Sequence, residues 1–407
     1  MKILLLWILG AVFFLNFVTN TEFKIEFALF PFLFCYSFII LFRFFPNKNF
    51  KTFVAYLLFF STSIFTLNNI LLPLTGSINE SGYIFLYGFP FYTATVAYLL
   101  ICNKQVNLLS ALKITNPLLL ATGPIVLFFK NYSYRRLHLR INYYLPFFIV
   151  GLFLFQTVGA PLVPAFKLIE ATDLVGSILF AVIFELFVYM NFCGLSLMLY
   201  GVFGIAGYKI PLNFKQPFSS KNIIEFWRGW HITLSAVLKI LFYEPIRKHS
   251  TPGIALLVVF FASAMWHGVT LNFLIWGIFH ASVFIITLFF LKRNINIIPT
   301  IILIIGVIFG RLIFADSNTD RLLDKLLFSY EGLGAFNTIL SLPNITKVSL
   351  VIGFNLVAIE FFFRNTKILK KRNYKHLRTP LALAIMLIIT IFLIDQGTIN
   401  YAVYGQR

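Results

Sequence analysis

Apolar runs separated by short, mostly basic connections fill this chain from end to end. A helix needs roughly 18 or more predominantly apolar residues to cross a bilayer. Runs at or approaching that length, with bounds good to a few residues, place spans over 3–19, 27–42, 52–73, 84–102, 142–163, 174–205, 254–266, 271–291, 296–315, 347–363 and 379–396. A shorter apolar segment at 117–129 fits a re-entrant loop. The stretch 223–245 alternates apolar and polar residues at helical spacing, with Phe226, Trp230, Leu234, Val237 and Leu241 near one face. Such a helix is expected to lie in the membrane interface, with Trp227 and Trp230 at headgroup depth. The expected fold is an all-α polytopic membrane protein forming a single integral domain over 1–407. The first run follows Lys2 as a signal peptide would. Asn16 to Asn20 lacks a small-residue cleavage pattern, so the run is expected to remain as the first span.

Composition strengthens this reading. The chain is 59% hydrophobic and only 12% charged, with a mean hydropathy of +0.88, whereas soluble domains carry about 25% charged residues. The net charge of +19 is spread over loops between apolar spans. It therefore reads as membrane topology and lipid attraction, not as a nucleic-acid surface. Cys35, Cys102 and Cys193 lie in or beside apolar segments, form no metal spacing, and are odd in number. With the N-terminus in the cytoplasm, most of the 33 Lys and Arg fall in inner loops, notably 43–51, 130–140, 209–248, 292–293 and 364–378. The loops 20–26, 74–83, 164–173 and 316–346 and the C-terminus are then outside. Inner-loop positive charge sets orientation, so a multi-pass membrane protein with a cytoplasmic N-terminus is expected.

Two Trp-His pairs stand out in this apolar background: Trp230-His231 and Trp266-His267. Histidine is costly in hydrocarbon and is the side chain best suited to moving protons near neutral pH. His267 closes one apolar run and Gly268 opens the gap before the next. Non-helical backbone at that depth is tolerated only inside protein or beside a wet cavity, where a neutral imidazole can accept a proton from a hydroxyl. The plainer alternatives are that His231 bonds a loop carbonyl in an interfacial anchor and that His267 is a packing histidine. His280 lies about 220° around a helix from His267 and is read as packing. His138, His249 and His376 are read as solvated. No Gly-x-Ser-x-Gly elbow, P-loop or His-Glu-x-x-His motif competes with the two pairs; a covalent role for Ser235 is a minor alternative.

The residues around these pairs form longer motifs. Pro117 to Ile125 follows Pro-x5-Gly-Pro-Ile. Asn191-Phe-Cys-Gly-Leu-Ser196 is similar to Asp-Phe-Ser-Gly-Tyr-Ser. Gly207 to Phe214 with Pro217-Phe218 is similar to Gly-x-x-x-Pro-x-Asn-Phe-x-x-Pro-Tyr. Glu225-Phe-Trp-Arg-Gly-Trp-His-Ile-Thr-Leu-Ser235 is similar to Glu-Phe-Trp-Arg-Arg-Trp-His-Ile-Ser-Leu-Ser. Trp266-His-Gly268 with Trp276, Gly277 and His280 is similar to Trp-His-Gly…Trp-Gly-x-x-His. Phe314-Ala-Asp-Ser317 matches Phe-x-Arg-Ala-Asp-Ser in part, without the Arg. In this order and spacing, over about 110–330, the chain resembles the membrane-bound O-acyltransferase (MBOAT) family. The resemblance is to its bacterial branch, which includes the alginate O-acetylation and teichoic-acid D-alanyl transfer proteins. Asn191, Leu197 and Leu271 replace common Asp, Asp and Trp. Leu127 stands where Arg is frequent, and a Gly-Gly-Asn-Arg loop is missing after Tyr243-Glu-Pro-Ile246.

The resemblance implies a ring of about 11–13 tilted transmembrane and re-entrant helices around a central pore. It implies that His267 is the general base on an acceptor hydroxyl and that His231 faces the same tunnel. Trp266, Trp230, Asn191 and Asn213 are the expected substrate-binding residues. No bound cofactor or metal is expected. The donor would be an acyl-CoA or acyl-carrier thioester from the cytoplasm, favoured by cationic loops. The acceptor would be a surface or periplasmic polysaccharide, with a periplasmic acyl-transfer partner and membrane lipid as further partners. Acetyl transfer is the first reading and D-alanyl transfer from a carrier protein the second. A transporter or scaffold with structural histidines is the rival of another class, since broken helices also mark transport sites.

The orientation is testable by cysteine labelling. A membrane-impermeant maleimide should modify Ser77→Cys in intact spheroplasts and Asn365→Cys only after permeabilisation. The reverse pattern would invert the topology.

Overall fold

The computed structural model describes residues 2–19, 47–71, 89–102, 112–119, 124–125, 130–131, 136–170, 173–316, 318–327, 334–366 and 374–395, with isolated positions at 33, 37 and 40. Helices α1 (Lys2–Thr19), α2 (Lys48–Leu71) and α3 (Phe89–Ile101) account for three expected spans; the span expected at 27–42 lies almost wholly outside the described residues. Helix α4 (Leu137–Leu152) runs on through a π turn (Phe153–Gly159) and a 3-10 stretch (Ala160–Glu170). The long α5 (Leu174–Ala206) follows, started by Asp173 accepting from the Gly176 amide at 2.6 Å. After α6 (Ile223–Gly229) and α7 (Ile232–Leu238) come the apolar helices α8 (Pro252–His267), α9 (Leu271–Lys292) and α10 (Ile297–Ala315). The short α11 (Thr319–Leu326) and α12 (Gly334–Leu340) lead to α13 (Asn344–Phe362) and α14 (Pro380–Asp395). Among the described residues, five helical segments are long and apolar enough to cross a membrane and three apolar helices are shorter. The strand content described is a two-residue antiparallel pair, Lys130–Asn131 against Tyr208–Lys209.

Of the 117–129 segment, expected to be re-entrant, the described residues are a 3-10 turn at Pro117–Leu119 and the buried Pro124 and Ile125; the others lie outside the described set. The 223–245 segment departs from expectation. It is not one interfacial helix but two short ones broken at Trp230-His231, and its tail is a π turn, Lys239–Tyr243. The predicted apolar face is real, since Phe226, Trp230, Leu234, Val237 and Leu241 are all buried, but it meets protein instead of lipid. Trp230 packs on Phe214, Phe226 and Tyr189, and Trp227 on Phe260, Trp276 and His280, so both rings meet protein side chains. Helix α6 touches α9 and α10, and α7 touches α3 and α8, so apolar helices surround the broken segment.

The tightest helix pair is α4 with α5. Small residues let two backbones approach where lipid offers no hydrophobic drive for association. Gly194 and Gly151 face each other so closely that a Cβ on Gly194 would stand 2.7 Å from the Gly151 carbonyl oxygen. Gly201 and Gly204, on the same side of α5, receive Phe148 and Tyr144. Opposite faces carry exposed apolar side chains, as on α9 (Ile278, Ile286, Phe289) and α14 (Leu381, Ile388, Phe392), where lipid would cover them.

His376 is not solvated as expected. Tyr374 donates its amide to Gln216 Oε1 at 3.0 Å, which leaves Gln216 Nε2 to donate to His376 Nδ1 at 3.4 Å. Burial pushes the His376 imidazole below its ordinary value of 6.5. His138 and His249 are exposed, as expected.

Two stability predictions follow from these contacts. Gly194→Val should lower the melting temperature of the detergent-solubilised protein by several degrees, an overpacking cost of about 1–3 kcal/mol. Gly253→Ala, whose added methyl meets nothing nearer than 3.7 Å, should not. Equal melting of both variants would contradict the close α4–α5 contact. The lowered His376 value means the unfolded chain binds this proton more readily, so stability rises with pH just below 6.5 and is lost as pH falls. His376→Gln should reduce the fall in melting temperature between about pH 7.5 and 5.5; an unchanged fall would refute that contribution.

Candidate functional site

The break at His231 is built by a strap from another part of the chain. Asn222 caps α6 by accepting from the Glu225 amide at 3.0 Å, and Glu225 returns a bond to the Lys221 amide. Helix α6 stops at Gly229, whose carbonyl accepts from Lys215 at 2.9 Å. His231 then takes a left-handed backbone, φ 40° and ψ 54°, a conformation costing a residue with a Cβ about 1–2 kcal/mol. The first amides of α7 have no intrahelical partner, and Asn213 supplies two acceptors. Its carbonyl accepts from Ile232 at 2.9 Å and its Oδ1 from the Thr233 amide at 3.3 Å. The Thr233 hydroxyl also donates to Oδ1, at 2.8 Å, and accepts from the Ile125 amide at 3.0 Å.

This arrangement sets the tautomer of His231. A backbone amide can only donate, so the Asn213 atom it meets is the oxygen. His231 Nδ1, 3.2 Å from that oxygen, must then carry the hydrogen, leaving Nε2 with its lone pair when the ring is neutral. Asn213 is therefore a holder of His231 and does not itself line the cavity.

His267 is placed by helix termination. Thr251 caps α8 and Pro252 opens it, while Gly268 ends it. Gly268 is extended, so close packing, not a special dihedral, explains the glycine: a Cβ there would meet the Phe273 ring at 2.7 Å. The expected break between α8 and α9 is present, spanning 268–270. The His267 ring is boxed by Trp266 and Phe314 at 4.9 Å and by Phe273 and Trp276 at 6.0 Å. It is partly exposed and makes no hydrogen bond among the described residues.

Both imidazoles line one cavity of about 240 Å³. Its walls come from α3 (Phe91), α5 (Val188, Phe192), α6 and α7, α8 (Phe260, Ser263, Trp266), α9 (Trp276) and α10 (Arg311, Phe314). Trp266 stands between the two histidines, 6.1 Å from His231 and 4.9 Å from His267 by ring centroids. The cavity lies on the seam between two apolar clusters. One is centred on α4, α5, α9 and α10, the other on α2, α3, α7 and part of α8. Arg228 and Lys239, which are exposed, belong to its lining, so it reaches the surface on their side. Of the expected site residues, His231, His267, Trp230 and Trp266 meet here. Asn191 is buried in α5 outside the lining, with its backbone against Gly159. His280 sits behind the cavity wall, stacked on Phe260 and edge-on to Trp276 and Trp227, as a packing residue should be. It is on α9, a different helix from His267, so the angular comparison within one helix did not apply.

Arg311 was not foreseen. It lines the cavity, donates from Nε to Glu185 on α5, and lies 5.4 Å from the Trp230 ring centroid and 5.2 Å from that of Phe314. Both side chains of the ion pair are almost fully enclosed, 10% and 6% exposed, where an unmatched charge would be severely destabilising. The signal was in the sequence: Glu185 and Arg311 are the lone charges in the apolar runs 174–206 and 297–315. Arg311 also lies one helical turn before the position where the family motif carries its Arg. Among the described residues no cluster of His, Cys, Asp or Glu is suited to hold a metal ion.

Comparisons with known proteins show the family. Residues 82–296 match the model of the membrane-bound O-acyltransferase family. A peptidoglycan O-acetyltransferase of Helicobacter pylori is 38% identical over 96 residues, 23% of this chain and 18% of that protein. A teichoic acid D-alanyltransferase of Bacillus subtilis is 29% identical over 137 residues, 31% of this chain and 35% of that protein. A probable alginate O-acetylase of Pseudomonas syringae is 35% identical over 96 residues, 23% of this chain and 18% of that protein. The alignments thus span from about a fifth to about a third of these relatives' own length. The family match takes in the strap, the broken segment and both histidine-bearing motifs, and the chain belongs to the membrane-bound O-acyltransferase family.

Proposed function

We propose that this chain moves an acyl group, acetyl in the first instance, from a cytoplasmic thioester to a hydroxyl of a cell-surface or periplasmic polysaccharide. The observation that carries this is the His267 ring: open to a cavity and free of hydrogen bonds among the described residues, it is placed to take a proton. The acceptor oxygen attacks the thioester carbonyl as His267 removes its proton. The carbon–sulfur bond then breaks, and the proton passes to the departing thiolate. General-base help of this kind is worth about 10²–10⁴-fold, and holding both reactants in one cavity adds more. His231, with Nε2 as its available atom, positions the donor or shares the proton. Trp230 and Trp266 form aromatic walls for the acyl arm, and Asn213 supports the site through His231.

Charge supports the direction of donor entry. Arg228 and Lys239 mark the open side of the cavity, and cationic loops favour an anionic CoA or an acidic carrier protein. The excess of Lys and Arg in the expected inner loops supports a cytoplasmic location for that side of an inner-membrane protein. The acceptor then enters from the other face, where a periplasmic partner completes delivery. D-Alanyl transfer is the second reading, supported by the similarity to teichoic acid D-alanyltransferases over 27–31% of this chain.

The test is His267→Ala in the producing cell, with membrane level and melting temperature checked. Ester-linked acyl groups released from the envelope by mild base should fall by at least about 100-fold. Acetate as the lost product supports the first reading and D-alanine the second. Unchanged ester content with normal protein level would end the acyl-transfer proposal.

A further inference from the structure

The geometry points to Arg311 as a catalytic residue that binds the acyl carbonyl oxygen and stabilises the oxyanion formed on attack. This rests on the acyl-transfer reading and adds to it the electrophilic half of the site. Arg311 and His267 both lie against the Phe314 ring, at 5.2 and 4.9 Å from its centroid, so the cation and the base are neighbours in the cavity lining. The other cations of the lining, Arg228 and Lys239, are exposed at the opening, and Lys239 is 3.6 Å from Glu244. A thioester arm that brings its carbonyl to His267 leaves its phosphate near that opening. The inner cation is thus matched to charge that develops during reaction, not to charge the donor already carries.

The guanidinium is also preorganised. Its Nε is committed to Glu185, whose carboxylate is buried and whose second oxygen has no hydrogen-bond partner among the described residues. The two terminal nitrogens make no hydrogen bond among the described residues, and Arg311 lines the cavity. A planar fork held at one nitrogen and open at two is suited to grip a single oxygen. In the step itself, the acceptor oxygen bonds to the carbonyl carbon and the π pair moves onto the carbonyl oxygen. The terminal N–H groups of Arg311 donate to that oxyanion. The pair returns as the carbon–sulfur bond breaks, and the thiolate takes the proton held by His267. Donors held in place by a fixed partner act without reorganising during reaction.

The experiment measures mild-base-released acyl groups in producing cells carrying variants of the full chain, normalised to membrane level. Arg311→Met alone would strand the Glu185 carboxylate, so the main variant is Glu185→Gln with Arg311→Met, which removes both charges together. Activity should fall about 10²–10³-fold, the range for loss of an oxyanion donor, with melting unchanged. Arg311→Lys is the second variant. It keeps the charge and the ion pair but lacks the fork, and should lose at least about tenfold. If the double variant does not reach the membrane, Arg311→Lys decides alone. Activity within about threefold of wild type in a folded double variant, or wild-type activity in Arg311→Lys, would overturn the assignment. If His267→Ala is inactive while these variants are active, only the Arg311 role fails. If His267→Ala is active, the acyl-transfer reading fails as well.

Discussion

A helix interrupted inside a bilayer survives only if its freed backbone groups find partners, because hydrocarbon offers none. In this protein the requirement is met at Asn213. One side-chain oxygen gathers the Thr233 amide, the Thr233 hydroxyl and His231 Nδ1, while the Asn213 carbonyl takes the Ile232 amide. The same bonds that permit the break fix the ring and tautomer of His231 and turn it toward the cavity. Remove that strap and α6 and α7 have no reason to stop and restart at Trp230-His231. The cavity, which lies between two apolar clusters beside the break, depends on it too.

Polar anchors elsewhere follow the same logic. Glu185 on α5 engages Arg311 on α10, and Glu360 on α13 accepts from Tyr189 on α5 at 2.8 Å. Tyr374 extends that second network to Cys193 at 3.0 Å and to the Gln216 amide at 3.3 Å, joining α5, the strap and the segment before α14. Further polar ties join other elements, such as Tyr92 OH to the Thr115 carbonyl and the Ser349 hydroxyl to the Thr157 carbonyl, whereas the aromatic and aliphatic packing between them gives no direction to the elements it joins. Hydrogen bonds and ion pairs set which helix face meets which.

Much of the fold was legible because lipid demands long apolar runs: α5, α8, α9, α10, α13 and α14 fall within a few residues of their predicted bounds. The gap after His267 was legible too, since a histidine followed by glycine interrupts such a run. The break at His231 was not. Apolar spacing through 223–245 continues across it, and the bonds that impose it come from Asn213, distant enough in sequence that periodicity carries no trace of them. His376 was misjudged for a related reason: its basic neighbours suggested solvent, whereas Gln216 draws it into the protein. His231, His267, Trp230 and Trp266 were identified and share one cavity, but Asn191 lies outside it. Arg311 was missed although a lone cation in an apolar helix is itself a signal, because its partner Glu185 is far away in sequence.

The account rests on a cavity that solvent and a thioester can enter as far as His267. Cysteine accessibility in the detergent-solubilised chain addresses this most directly. Ser263 lines the cavity, while Ser349 is also buried but lies in α13 outside the lining. A small charged methanethiosulfonate should modify Ser263→Cys rapidly and Ser349→Cys hardly at all. Equal resistance of both positions would mean that the space around His267 is closed to water, and the proposed chemistry could not take place there.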